Sequence, residues 1–218
     1  VMNGAINFAD AADSAALDGT IDASLMTGDL TFEVMSSDLH LIKGSQGRDI
    51  FDFGTNLTVN DDIDGGAGGT DRIKVSGDIT TGTYTKIKNF EEFELETGGL
   101  AANADREIDT SLFSGFSKFY VDSNGDADGV ENELSFTKLD SGDTVVVEES
   151  SSDSTDTADG TNIILTHAVD TGAEVLTVQL EGIGAVVADA STKSGISEIR
   201  AIESETVNLV VNKSDAST

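Results

Sequence analysis

The chain has no cysteine, no proline and no tryptophan among its 218 residues. Without cysteine there are no disulfides, no thiol nucleophile and no thiolate zinc site. Positive charge is scarce: 12 Lys and Arg stand against 41 Asp and Glu, for a formal net charge of −29. That deficit argues against nucleic acid, whose phosphates are held by Lys and Arg, and against direct contact with an anionic membrane. Only two histidines are present, His40 and His167. Neither has a zinc spacing or a neighbouring G-x-S-x-G turn, so both read as ordinary strand histidines. Carboxylates are plentiful enough for a glycosidase on residue type alone. The aromatic platforms that bind sugars are thin, however, with Tyr84 and Tyr120 the two tyrosines. These absences point away from an enzyme. No run is long or apolar enough to span a membrane. The opening residues lack a basic-plus-apolar signal pattern, and a start at Val1 reads as a piece of something longer.

What is abundant is Gly, Ser, Thr, Asp and Asn, with Val, Ile and Leu in short bursts. This is the composition of an all-β chain with many turns. Its negative charge repels itself in any compact state unless cations offset part of it. Solubility or adaptation to salt is the alternative account of the acidity.

The most informative stretch is Lys43–Gly77, which contains two copies of G-x-x-G-x-D-x-φ, where φ is apolar. One copy is Gly44, Gly47, Asp49 and Phe51; the other is Gly66, Gly69, Asp71 and Ile73. Each is a glycine turn, then a carboxylate, then alternating apolar residues. The layout suits a calcium-binding turn between short strands of a parallel roll. The glycines would supply positive φ and let carbonyls approach an ion, and oxygen-only ligation suits a hard cation such as Ca²⁺. The plainer reading is a pair of glycine turns with no ion. Asp61, Asp62 and Asp64 precede the second copy and add three carboxylates that either bind the cation or lie solvated.

Along the chain, residues 1–28 are a lead segment in which Asp10–Leu17 suggests a short helix. Residues 29–97 form a first half with strands at Leu30–Val34, Leu39–Lys43, Ile50–Phe53, Leu57–Val59, Arg72–Val75, Tyr84–Ile87 and Phe90–Glu96. In the last, Phe93 and Leu95 point inward and Glu92, Glu94 and Glu96 outward. Residues 98–112 read as a connector and 113–218 as a second half. Its strands fall at Phe113–Val121, Leu134–Leu139, Asp143–Glu148, Asn162–His167, Val175–Glu181 and Ile199–Val211, with a low-complexity mobile loop at 149–160.

A third acidic element opens the second half. Asp122, Asn124, Asp126 and Asp128 alternate in D-x-N-x-D-x-D-G, and Glu133 is twelfth from Asp122. The spacing approaches an EF-hand loop, but Ala127 occupies the position that requires glycine, and the flanks read as strands. It is a calcium loop outside an EF-hand, or a solvated acidic turn. An internal echo runs through the chain. Ile87-x-x-Phe90-Glu91 leads to Phe93 and Leu95, Ile199-x-x-Ile202-Glu203 leads to Val207 and Leu209, and Phe113, Phe116 and Phe119 give a third phrase. Such echoes suggest stacked rungs around one core.

Taken in order, IDASLMTGDLTFEV (21–34), GSQGRDIFDFG (44–54), DDIDGGAGGTDRIKVSG (61–77), IKNFEEFEL (87–95) and SETVNLV (204–210) resemble the repeat-in-toxin-like segments of bacterial surface-layer (S-layer) proteins and related secreted adhesins. The resemblance is good over 21–96 and patchy beyond. It implies a parallel β-solenoid (β-roll or β-helix-like) with short rungs, secreted to the bacterial cell surface and assembled with copies of itself into a lattice or filament. Lipopolysaccharide or another surface glycan would be the further partner. By position it implies Ca²⁺ held by Asp49 and Asp71 with the carbonyls of Gly44, Gly47, Gly66 and Gly69. Two features depart from the pattern: Ser45 stands where a second glycine is expected, and the GGAGGTD turn is lengthened. The alternative within this resemblance is a calcium-rigidified adhesin or matrix module that displays loops such as 149–160.

Overall fold

The computed structural model describes residues 20–34, 40–96, 105–122, 133–148, 161–168, 172–181 and 196–212. The helix expected at Asp10–Leu17, the loop 149–160 and the stretch 183–195 lie outside them. The described chain is all-β apart from one 3-10 turn, Thr110–Leu112, and no helix in it is long and apolar enough to cross a membrane. Contacts divide it into two units. Residues 78–80 belong with the second unit and 112–116 with the first.

The first unit contains β1 (Thr20–Asp22), β2 (Thr31–Glu33), β3 (Leu41–Lys43), β4 (Ile50–Gly54), β5 (Asp62–Asp64), β6 (Arg72–Val75), β7 (Ile87–Lys88) and β8 (Glu92–Leu95). From β1 to β6, each strand pairs in parallel with the strand two places on. The odd strands therefore make one sheet, β1-β3-β5-β7, and the even strands run β2-β4-β6-β8. Short strands alternating between two sheets satisfy their backbone groups only through the next and previous layer. Identical faces consequently stack. Ile21, Ile42, Ile63 and Ile87 are in register on the odd side, and Phe32, Phe51, Ile73 and Phe93 on the even side. Phe51, Ile63, Ile73 and Phe93 are fully buried.

The second unit repeats the scheme with β9 (Arg106–Asp109), β10 (Lys118–Asp122), β11 (Glu133–Leu139), β12 (Thr144–Glu148), β13 (Thr161–His167), β14 (Val175–Glu181), β15 (Ile196–Ile202) and β16 (Thr206–Asn212). Odd strands again pair in parallel with odd, and even with even. Phe119, Val145, Val178 and Leu209 form one register column, and Val121, Val147, Leu180 and Val211 another. The echo seen in the sequence falls on β7 with β8 and on β15 with β16, each an odd strand, a short turn and an even strand.

Several strand expectations change. Leu57–Val59 is not a strand, because Asp61 and Thr58 close a local turn there: Thr58 N–H donates to Asp61 Oδ2 at 2.7 Å and Asn60 N–H to Thr58 Oγ1 at 3.3 Å. Of Tyr84–Ile87 only Ile87 is in a strand. The stretch from Phe113 becomes a strand only at Lys118. Phe113 and Phe116 instead close over the first unit's core, with ring centroids 5.1 and 5.6 Å from Phe93. Ile199–Val211 is two strands, not one. Glu92 and Glu94 do point outward but are buried, because the ion pairs described below cover them.

Phe93 is fully buried and meets both Phe113 and Phe116. Phe93→Ala should cost about 3–5 kcal/mol, the range for deleting a buried aromatic ring. Urea denaturation of the variant, with unchanged slope and a lowered midpoint, is the measurement.

Candidate functional site

Asp49 and Asp71 stand immediately before β4 and β6. The strand register aligns Leu30, Asp49, Asp71 and Glu91 in one column. Each carboxylate in the column caps the backbone N–H of the residue before it. Asp49 Oδ1 accepts from Leu30 at 2.8 Å, Asp71 Oδ1 from Asp49 at 2.7 Å, and Glu91 Oε2 from Asp71 at 3.0 Å. Asp49 also accepts from Ser45, through its N–H and through Oγ at 2.6 Å. Ser45, which breaks the glycine pattern, is thus a donor to the motif carboxylate. Charge-assisted bonds of this kind are about twice as strong as neutral ones, and here they satisfy amides where the chain leaves a turn for a strand. Glu91 completes the column and escaped the sequence reading. Its signal was an acidic residue directly before a strand, the same position that Asp49 and Asp71 hold.

Anions at this spacing repel. Burial, followed by the charges of Asp49, Glu91 and Asp64, pushes the Asp71 carboxyl up to about 6, against the pull of the Asp49 amide. Asp64 and Glu91 therefore both act on Asp71 across the second glycine turn.

The glycines of these turns are required chiefly by space. Gly44 stacks on Gly65 through the pairing of Lys43 with Asp64, and a side chain at Gly44 would run into the Gly65 carbonyl and Asp49. A Cβ at Gly47 would lie 2.6 Å from Asp29 N, and one at Gly69 2.6 Å from Arg48 N. Of the four motif glycines only Gly66 has a positive φ, 112°. It sits in the longer of the two turns, where Asp64–Asp71 has to overlie Lys43–Asp49.

The three acids ahead of that turn do not converge. Asp61 is buried and turned toward His40, accepting from its backbone N–H at 2.9 Å and lying 2.9 Å from its Nδ1. Burial works to raise the Asp61 pKa, but hydrogen bonds from the His40 ring, Thr58 and the His40 amide prevail and hold it below the usual carboxylate value. Asp62 faces outward, 4.0 Å from Lys88 Nζ. Asp64 Oδ1 accepts from Gly66 N–H at 3.1 Å and from Asn89 Nδ2 at 2.7 Å. In the second unit Asp122 ends β10 and Glu133 begins β11, while Asn124, Asp126 and Asp128 lie outside the described residues. The donor types suit a hard cation. Among the described residues, however, no group of three or more His, Cys, Asp or Glu side chains is arranged to hold a metal ion.

The outer face of the even sheet in the first unit carries a second feature. Arg72 bridges Glu92 at 2.8 Å and Glu94 at 2.7 Å, Arg48 reaches Glu92 at 3.0 Å, and Lys74 joins Glu94 at 3.3 Å and also Glu96. Beside this network lies an open cavity of about 420 Å³ lined by Thr31, Glu33, Asp52, Arg72, Lys74 and Glu94. The two histidines are engaged structurally: His40 with Asp61, and the buried His167 with its Nδ1 3.1 Å from the Leu139 carbonyl. No family model, no characterised protein and no solved structure matches the chain.

Two outcomes test these assignments. Asp49→Asn removes one acceptor from a buried site with three donors and should cost about 2–3 kcal/mol. The loss, read by urea denaturation, should be the same at every Ca²⁺ concentration at which the parent is folded. A loss that grows with Ca²⁺ concentration would instead assign the carboxylate to a metal.

The second outcome concerns Asp143, which burial and then the nearby Asp140 push up to about 6, although the Asp140 amide and the nearness of His167 oppose this. A folded pKa above the unfolded value means that the native state binds the proton more tightly. Stability at this site is then complete below pH ~4 and falls as pH rises to ~6, by about 3 kcal/mol. Asp143→Asn keeps an acceptor for Asp140 N–H, now at 2.8 Å. It should raise the melting temperature at pH 7.5 and leave it unchanged, relative to the parent, below pH 4.

Proposed function

We propose that the chain is a structural building block of a bacterial surface layer, a parallel β-solenoid that associates with copies of itself outside the cell while Ca²⁺ offsets its negative charge. The observation that carries this reading is β16. All seven of its residues are exposed, and its inward positions Val207, Leu209 and Val211 continue the register of Leu176, Val178 and Leu180 in β14. Leu176 and Val178 are buried at 0% and 2% exposure, whereas Leu209 and Val211 stand at 62% and 61%. A bare strand that extends a core is a template for another chain. In each unit the two sheets repeat strand by strand, and this supports the solenoid reading and an extended scaffold.

Calcium enters on charge. At −29 two copies repel one another, and cations gathered around the chain would offset that repulsion and couple folding and assembly to the ion. The groove lined by Thr31, Glu33, Asp52, Arg72, Lys74 and Glu94 favours the second reading, an adhesin-type module binding a glycan or cell-surface partner. We assign the chain no catalytic role.

Protein purified into EGTA and titrated with Ca²⁺, with Mg²⁺ as control, separates these readings. The expected outcome is a gain in β circular dichroism together with large assemblies by light scattering, in Ca²⁺ only. A β gain without assembly would favour the adhesin reading. A fully folded monomer indifferent to Ca²⁺ would end the calcium-dependent proposal.

A further inference from the structure

The last strand pair is built to match itself, and from this we infer that β15 and β16 form a two-fold interface with β15 and β16 of a second copy. The inference rests on the self-assembly reading above and specifies its geometry. Among the described residues β15 and β16 each terminate their sheet's strand order, and each has a strand partner on one side only, which leaves a row of backbone donors and acceptors on the other.

An antiparallel pairing of β16 with a second β16, centred on Leu209, sets Leu209 against its own copy and Val207 against Val211 on the inner face. On the outer face it sets Asn208 against Val210 and Thr206 against Asn212. The segment Thr206–Asn212 contains no charged residue, in a chain with 41 acidic ones. It is therefore a place where two copies can meet without apposing like charges. Antiparallel partners share a face, so the three inward apolar positions of one copy cover those of the other.

β15 has the same property. Paired about Ile199, it sets Glu198 against the second copy's Arg200 and Arg200 against its Glu198. Both side chains are 56% exposed and already lie 3.3 Å apart within one chain. A two-fold contact must be self-complementary, residue i meeting j and j meeting i. Both edge strands meet that condition, one by apolar symmetry and one by charge. In the first unit the terminal even strand, β2, is covered: Phe32 and the flanking Leu30 and Val34 are buried at 3%, 5% and 6% exposure.

The absence of cysteine makes the test direct. Leu209→Cys introduces a lone thiol that lies opposite its own copy only in this arrangement, within the reach of a disulfide. The variant of the whole 218-residue chain is oxidised mildly in millimolar Ca²⁺ and run on a non-reducing gel. The expected result is a covalent dimer as the main product. Thr206→Cys or Asn212→Cys alone should stay at least tenfold less cross-linked, and a mixture of the two should cross-link to each other. Leu209→Glu, at a position exposed in the single chain, should leave circular dichroism unchanged and raise the dimer Kd at least tenfold in sedimentation. If the chain associates but Leu209→Cys cross-links no better than Thr206→Cys, or Leu209→Glu still associates, the two-fold pairing is overturned while self-assembly stands. If the chain is monomeric at every concentration, with or without Ca²⁺, both readings fail, and coverage of β16 by the chain's own neighbouring residues becomes the explanation.

Discussion

Parallel strands that follow one another at a spacing of about 4.8 Å force the turns between them to stack at the same spacing, and most of the first unit's turn chemistry follows from this. A side chain at Gly44, Gly65 or Gly69 would collide with the backbone of the adjoining turn. The amides that leave such a turn cannot all reach a sheet partner, and a carboxylate from the next layer takes them up. The column Leu30, Asp49, Asp71, Glu91 is the result. Glycine and aspartate recur here because one occupies no space and the other accepts two hydrogen bonds or more at a buried site.

The same stacking concentrates charge. In-register carboxylates repel along the column, and the chain relieves this unequally. On the outer face of the even sheet, Arg72 and Lys74 stand in register with Glu92 and Glu94 and neutralise them. The column of Asp71 itself, Leu30, Asp49, Asp71 and Glu91, contains no Lys or Arg, and Asp71 responds by holding its proton more firmly. The proposed role of Ca²⁺ is the completion of this balance. The proposed self-contact at β15 and β16 uses the part of the chain where the balance is least needed, a neutral strand beside an opposed Glu and Arg.

Reading the motif residues as ligands and reading them as caps start from the same letters. The two copies of G-x-x-G-x-D were legible, as was the apolar alternation behind each, because both are patterns within a few residues of the chain. Which atoms the aspartates face was not legible. Leu30 and Asp49 are 19 residues apart, and Asp49 and Asp71 are 22 apart, and only the inter-strand register brings them together. The burial of Glu92 and Glu94 was hidden for the same reason. Their alternation says outward, and outward means exposed unless a neighbouring strand carries Arg and Lys at the matching positions.

The sequence by itself determined that the chain is β-rich, short-stranded, acidic and free of cysteine chemistry, and where its glycine turns lie. Those properties depend on composition and on neighbours within a few residues. The tertiary structure decided that strands pair with the second strand on, in parallel, in two sheets per unit, that Asp61 turns to His40 rather than to Asp62 and Asp64, and that the apolar face of β16 is left bare. Each of these depends on which distant segment lies alongside, because backbone hydrogen bonds and buried charges are satisfied across layers and not along the chain.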